Sequence, residues 1–217
     1  DINFKVKSGE TIAILGRVGS GKSTLLRSMV RLIDTPRGTV LIGGRDICDY
    51  SVQHLRKIVT LVPQDPFLFS ASLRENLTYD EPTRGEALLM DAADAAGLTS
   101  AIGNLTDGLD TILGERGQTL SGGQKQRATL ARGLVRNSPI LLLDDCFSAV
   151  DTETEERILS GLARMRGDKT TILISHRVST ARHADRIFII DNGHITESGT
   201  HAELIAHEGY YADLAAV

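Results

Sequence analysis

Gly16-Arg17-Val18-Gly19-Ser20-Gly21-Lys22-Ser23 is the stretch that decides the fold. It has the spacing GxxxxGK[ST], and the flanks suit that motif. A short apolar run, Thr11-Ile12-Ala13-Ile14-Leu15, leads into it, and residues 23–32, with Leu25, Leu26, Met29 and Val30 in a helical pattern, lead out. Glycines let the backbone curl until several N–H groups point inward, and the start of a helix adds positive dipole where an anion sits. Residues Gly16, Gly19, Ser20, Gly21, Lys22, Ser23 and Thr24 therefore read as a cradle for the phosphates of a nucleotide such as ATP. Lys22 is placed to reach the β- and γ-phosphates, and the Ser23 hydroxyl to hold Mg²⁺.

Outward from this turn, strands and helices alternate. Residues 39–42, 58–62, 140–143, 170–174 and 186–190 read as strands, and Asn192-Gly193 turns the chain into another short one containing Ile195. Ser51 caps a short helix through Arg56, Thr152 is a candidate N-cap for a helix over 152–165, and 200–207 reads as the last helix. Between these lies 72–137, rich in Ala, Leu and acidic residues, with helices expected over 86–96 and 122–136. The fold class that follows is α/β. It has a P-loop core over 1–71 and 138–217, built on a mainly parallel sheet flanked by helices, and a helical subdomain inserted at 72–137.

Composition agrees with an ordinary folded domain: 217 residues, 41% hydrophobic and 24% charged. A net charge of −4 and an isoelectric point of about 5.9 disfavour a dedicated nucleic-acid binder, so no nucleic-acid partner is expected. Cys48 and Cys146 lack CxxC spacing and read as reduced thiols, and the six histidines show no metal-ligand spacing. The longest apolar runs, such as Ile140-Leu141-Leu142-Leu143 and Ile187-Phe188-Ile189-Ile190, are far short of the ~20 residues that span a bilayer. The chain opens without Met inside a strand-like segment, as a piece of a longer protein would, and this piece is expected to be soluble.

Further motifs supply chemistry. The apolar strand Ile140-Leu141-Leu142-Leu143 ends in Asp144-Asp145; Asp144 can reach Mg²⁺, and Asp145 stands where a general base can orient an attacking water. Leu120-Ser121-Gly122-Gly123-Gln124 opens a helix carrying Lys125, Arg127, Arg132 and Arg136. Ser121 is a good N-cap, and the glycines free backbone N–H groups for a second anion, although taken alone the segment is equally a capped surface helix with a basic face.

With LSGGQ in place, the sequence resembles the ABC transporter ATPase family over nearly its whole length, with the family's motifs in order. Gln64 follows strand 58–62 as the Q-loop glutamine does, Ser148-Ala149-Val150-Asp151 is similar to the D-loop, and His176 follows strand 170–174 as the switch histidine does. Gly114-Glu115-Arg116-Gly117 and Pro63-Gln64-Asp65-Pro66-Phe67-Leu68-Phe69-Ser70 resemble exporters whose membrane and ATPase domains are fused.

The resemblance implies a head-to-tail pair of ATPase domains with two ATP molecules sandwiched between them. Ser121, Gly122, Gly123, Gln124 and Asp151 would then meet a nucleotide held by the partner domain. Gln64 would sense Mg²⁺ and water, and His176 would hold the γ-phosphate. The implied partners are a second ABC ATPase domain, identical or from a different subunit, and a transmembrane domain of the same chain at the cytoplasmic face of a membrane.

Two departures from the family pattern stand out. Asp145 replaces the usual glutamate, which sets its carboxylate roughly 1 Å back, a displacement that can cost ~10²-fold in rate. This suggests a slow site within a heterodimer, whereas the retained His176 fits a homodimer that uses Asp145 as its base. The aromatic residue on which the family stacks adenine lies upstream of the first strand, and Phe4 is not its counterpart, so weaker nucleotide binding is expected of this piece. A non-transport ABC ATPase that clamps nucleic acid or a ribosome is the other reading, disfavoured by the exporter-like segments and the acidic balance. A structural role, in which ATP closes the pair with little hydrolysis, is a third.

Overall fold

A computed structural model describes residues 2–216. Its strands are β1 (Thr11–Leu15), β2 (Leu41–Ile42), β3 (Arg45–Asp46), β4 (Val59–Val62), β5 (Ile140–Asp144), β6 (Thr170–Ile174), β7 (Arg186–Asp191) and β8 (His194–Gly199). Its helices are α1 (Lys22–Met29), α2 (Val52–Ile58), α3 (Leu73–Thr78), α4 (Glu86–Ala95), α5 (Thr99–Gly103), α6 (Gly122–Val135), α7 (Thr152–Arg166), α8 (Val178–Ala181), α9 (His201–Ala206) and α10 (Tyr210–Ala215).

Six strands form one sheet in the order β4-β5-β6-β1-β7-β8, and β2 and β3 pair as a separate antiparallel ribbon. The pairs β5–β6, β6–β1 and β1–β7 are parallel, and β8 returns antiparallel along β7. The central strands are covered on both faces, which is why they read as unbroken apolar runs rather than alternating ones. Ile12 to Leu15 are fully buried, as are Leu141 to Leu143.

The chain divides into two compact units. One runs to Leu61 and takes in Ser138–Asp145 and the chain from Asp168 onward; the other comprises Val62–Asn137 and Cys146–Gly167. The core of the first gathers Ile12 and Ile14 of β1, Leu26 of α1, Leu142 of β5, Ile172 and Ile174 of β6, and Phe188 and Ile190 of β7.

The second unit is helical. Its α7 crosses α4 at Gly161, where a Cβ would lie 2.7 Å from the carbonyl oxygen and 2.8 Å from the Cα of Ala95. Upstream, Ser72 and Glu75 close a capping box at the start of α3. The fully buried Asn76 uses both ends of its amide, accepting from Phe69 N–H at 2.8 Å and donating to the carbonyls of Phe69 and Ser72, each at 3.0 Å.

Some boundaries differ from the sequence reading. The cap of α7 is Asp151, not Thr152: the Asp151 carboxylate accepts from Thr154 N–H at 2.9 Å and from its hydroxyl at 2.8 Å. Helix α1 stops earlier than 23–32, because Arg31 turns into the left-handed region at φ 55°. The strand expected over 39–42 keeps only Leu41–Ile42. The helix expected over 200–207 is α9, which Thr200 caps, and a further helix, α10, follows it. Cys48 and Cys146 are both free thiols.

Candidate nucleotide site

The turn between β1 and α1 has the geometry its glycines were read to permit. At Gly16 (φ 148°) a Cβ would sit 2.0 Å from the carbonyl oxygen of Ile190, so no side chain fits against the end of β7. Gly21, at φ 94°, hands the turn over to α1, and no side chain caps that helix or places an acid in its first turn. Its first N–H groups and its dipole are left for an external anion.

Lys22 is almost fully buried and curls back over the turn. Its Nζ donates to the carbonyls of Gly16 (2.9 Å) and Arg17 (2.8 Å) and to Ser20 Oγ (3.4 Å). Burial lowers its pKa from the ordinary lysine value, opposed by the carboxylates of Asp145 and Asp144. An arriving phosphate oxygen would supply a charged acceptor in place of the distant Ser20 Oγ, which favours the ammonium form. Thr24, in the first turn of α1, is exposed.

Beside it, Ser23 Oγ donates to Asp144 Oδ1 at 2.7 Å. Asp144 ends β5 and is only 1% exposed. A hydroxyl and a carboxylate oxygen in contact are a fitting donor set for Mg²⁺, which takes few protein ligands when phosphates and water supply the rest. No cluster of three or more His, Cys, Asp or Glu residues suited to a metal occurs among the described residues.

Asp145 is the next residue, and its backbone is left-handed at φ 48°, with its N–H donating to Ile174 O at 3.1 Å. Burial pushes its carboxyl pKa above the usual value, while the charges of His176, Arg177 and Lys22 pull the other way. The structure therefore brings Lys22, Ser23, Asp144, Asp145 and His176 together at the ends of β1, β5 and β6. His176 itself is exposed.

The remaining candidates belong to the helical unit. Gln64 lies exposed just past β4. Ser121, Gly122, Gly123 and Gln124 open α6, where Ser121 Oγ accepts from Gln124 N–H at 3.3 Å and Gln124 Oε1 accepts from Ser121 N–H at 2.8 Å. Asp151 is committed to capping α7, and those donors lower its pKa.

Sequence reasoning missed Gln126. This buried residue accepts from Ala149 N–H at 3.3 Å, while a Cβ on Gly123 would come within 3.1 Å of Ala149 O. The start of α6 and the segment 148–151 are thereby joined. A polar residue two places past LSGGQ, on the helix face that also carries Leu130 and Leu134, was the available signal.

Comparison with known proteins identifies the family. The profile of the ABC transporter family matches residues 1–148. Multidrug export ATP-binding/permease proteins of Staphylococcus aureus, strains NCTC 8325 and COL, are each 46% identical over 214 residues, covering 99% of this chain and 37% of theirs. The structure of a bacterial Atm1-family ABC exporter with ATP bound matches with a TM-score of 0.91 and 41% identity, over 98% of this chain and 37% of that one. The chain thus spans 37% of the length of these relatives. A turn with no room for a side chain at Gly16, a lysine folded over it, a serine–aspartate pair beside it and a family match across two-thirds of the sequence lead to one conclusion: the chain belongs to the ABC transporter family, as one of its nucleotide-binding ATPase domains.

Proposed function

We propose that this chain binds Mg-ATP on residues 16–24 and hydrolyses it to drive export through a membrane domain. The observation that carries this reading is the Ser23–Asp144 hydrogen bond of 2.7 Å next to a lysine folded over the phosphate turn. The backbone of Gly16, Gly19, Ser20 and Gly21 and the first turn of α1, Thr24 included, embrace the phosphates, and Lys22 neutralises them. Ser23, Asp144 and Gln64 hold Mg²⁺, which when bound offsets charge on the phosphates. Asp145 accepts the proton of the attacking water, and His176 holds the γ-phosphate.

Ser121, Gly122, Gly123, Gln124 and Asp151 complete the site of a second ATPase domain in a head-to-tail pair, so closure follows ATP and opening follows hydrolysis. No helix among the described residues is long and apolar enough to cross a membrane. The membrane part is supplied by the rest of the protein, with this domain at the cytoplasmic face. The name of the Staphylococcus relatives favours a multidrug-type export role.

A shortened base at Asp145 favours a particular arrangement: a heterodimer in which this chain's own turn forms the slow site and its LSGGQ segment serves the partner's faster one. The whole reading is tested on the full-length protein by Mg-ATP titration and turnover. Lys22→Ala is expected to weaken binding on the order of 10- to 100-fold, the size of charge-assisted hydrogen bonds lost. Unchanged binding in that variant, or no binding in the parent, overturns it.

A further inference from the structure

The two ends of Arg17 do different things. Its carbonyl oxygen accepts from Lys22 Nζ at 2.8 Å and from Ser20 N–H at 3.2 Å, so it helps to shape the phosphate turn. Its side chain leaves the turn and sets its guanidinium carbon 5.9 Å from the centre of the Tyr210 ring. That lies within the reach of the attraction between a cation and an aromatic face.

Tyr210 is itself seated. It opens α10, and its N–H donates to Glu197 Oε1 at 2.6 Å while Tyr211 N–H donates to Oε2 at 3.2 Å. A Cβ on Gly209 would fall 2.6 Å from Glu197 Oε1, so a glycine there lets the helix start close onto that carboxylate. Behind it, Tyr211 is fully buried and its hydroxyl meets His201 Nδ1 at 2.8 Å. Arg17, Asp191, Thr196, Glu197 and Tyr210 line one pocket of about 230 Å³. The guanidinium therefore lies by an aromatic ring in a pocket that Asp191 and Glu197 also line. Gly16 is pressed against the end of β7, and the very next residue ties the turn to α10.

We propose that Tyr210, seated by Glu197, is a positioning residue for nucleotide binding: its ring holds Arg17 so that the Arg17 carbonyl keeps Lys22 aimed into the phosphate turn. The inference rests on the reading of that turn as the ATP site. Tyr210 acts through Arg17 and touches no phosphate.

The test measures Mg-ATP affinity, KM and kcat in the full-length protein. Tyr210→Ala raises Kd and KM roughly two- to five-fold, the loss expected for one partly exposed cation–aromatic contact, and leaves kcat within error. Tyr210→Phe keeps the ring face and retains the parent values. Arg17→Met matches Tyr210→Ala, and the double variant is no worse than either single one, because both remove the same contact.

Parent-like affinity in Tyr210→Ala, multiplying effects in the double variant, or equal damage from Phe and Ala overturns the proposal. Should Tyr210→Ala fail to fold, the exposed Arg17 carries the test: Arg17→Met must raise KM and Arg17→Lys must restore it, and any other result overturns it. A parent that binds Mg-ATP alongside variants that bind it equally removes this inference alone. A parent that does not bind Mg-ATP removes the site reading as well.

Discussion

Asp145 shows what one residue can hide. Its type was legible, and so was the methylene by which it falls short of glutamate. Its backbone was not: φ 48° arises because the chain leaves the end of β5 with the Asp145 N–H turned onto Ile174 O of the neighbouring strand. Aspartate tolerates left-handed backbone better than most residues, so the short side chain also suits the turn. Asp145→Glu is expected to raise single-site ATP turnover by up to about 10²-fold, with a small fall in melting temperature. Turnover no higher than the parent's, measured with a hydrolysis-deficient partner site, would count against both the slow-site reading and Asp145 as base. Lys22, Ser23 and Asp144 were legible because the motif spacing fixes their neighbours. The contact between Arg17 and Tyr210 was not, since it joins positions at opposite ends of the chain.

Among elements, the long periodic helices and buried strands could be read to within a residue or two, and the short ones could not. Helix α10 has six residues, too few for a 3.6-residue period to declare itself. The cap of α7 was misread by one position, because Asp151 and Thr152 are both good caps and only backbone geometry chooses between them. Gly161 offers a test at this scale. On helix propensity alone, Gly161→Ala ought to stabilise α7 by about 1 kcal/mol. The Ala95 backbone at 2.7–2.8 Å from the new methyl forces α4 and α7 apart instead. The net expectation is a destabilisation of ~1–3 kcal/mol, read as a lower denaturation midpoint in urea. A higher midpoint would show that the crossing yields easily.

At the scale of the whole molecule, alternating strands and helices announced a mainly parallel sheet, but strand order was not to be had from local sequence. β1 lies between β6 and β7, partners more than 150 residues away. The C-terminal elements give this unit an alkaline weakness. Burial raises the Tyr211 hydroxyl to about 12 from an ordinary 10.0. The folded state therefore holds that proton more tightly than the unfolded one. Its contribution is whole below about pH 10 and is lost as pH rises towards 12. Stability of the parent should fall across that window, and Tyr211→Phe should flatten the fall; equal slopes in the two proteins would refute the assignment.

The antiparallel return of β8 has one more effect. A sheet edge with free backbone groups invites another chain to add a strand, and the hazard grows when the edge is long, flat and greasy. β8 offers six residues, His194–Gly199, mostly polar and alternately exposed, beside a break in register at Ile189 and Ile190. A visiting strand would find a twisted, hydrophilic border there, so on this side the fold resists propagation into fibrils.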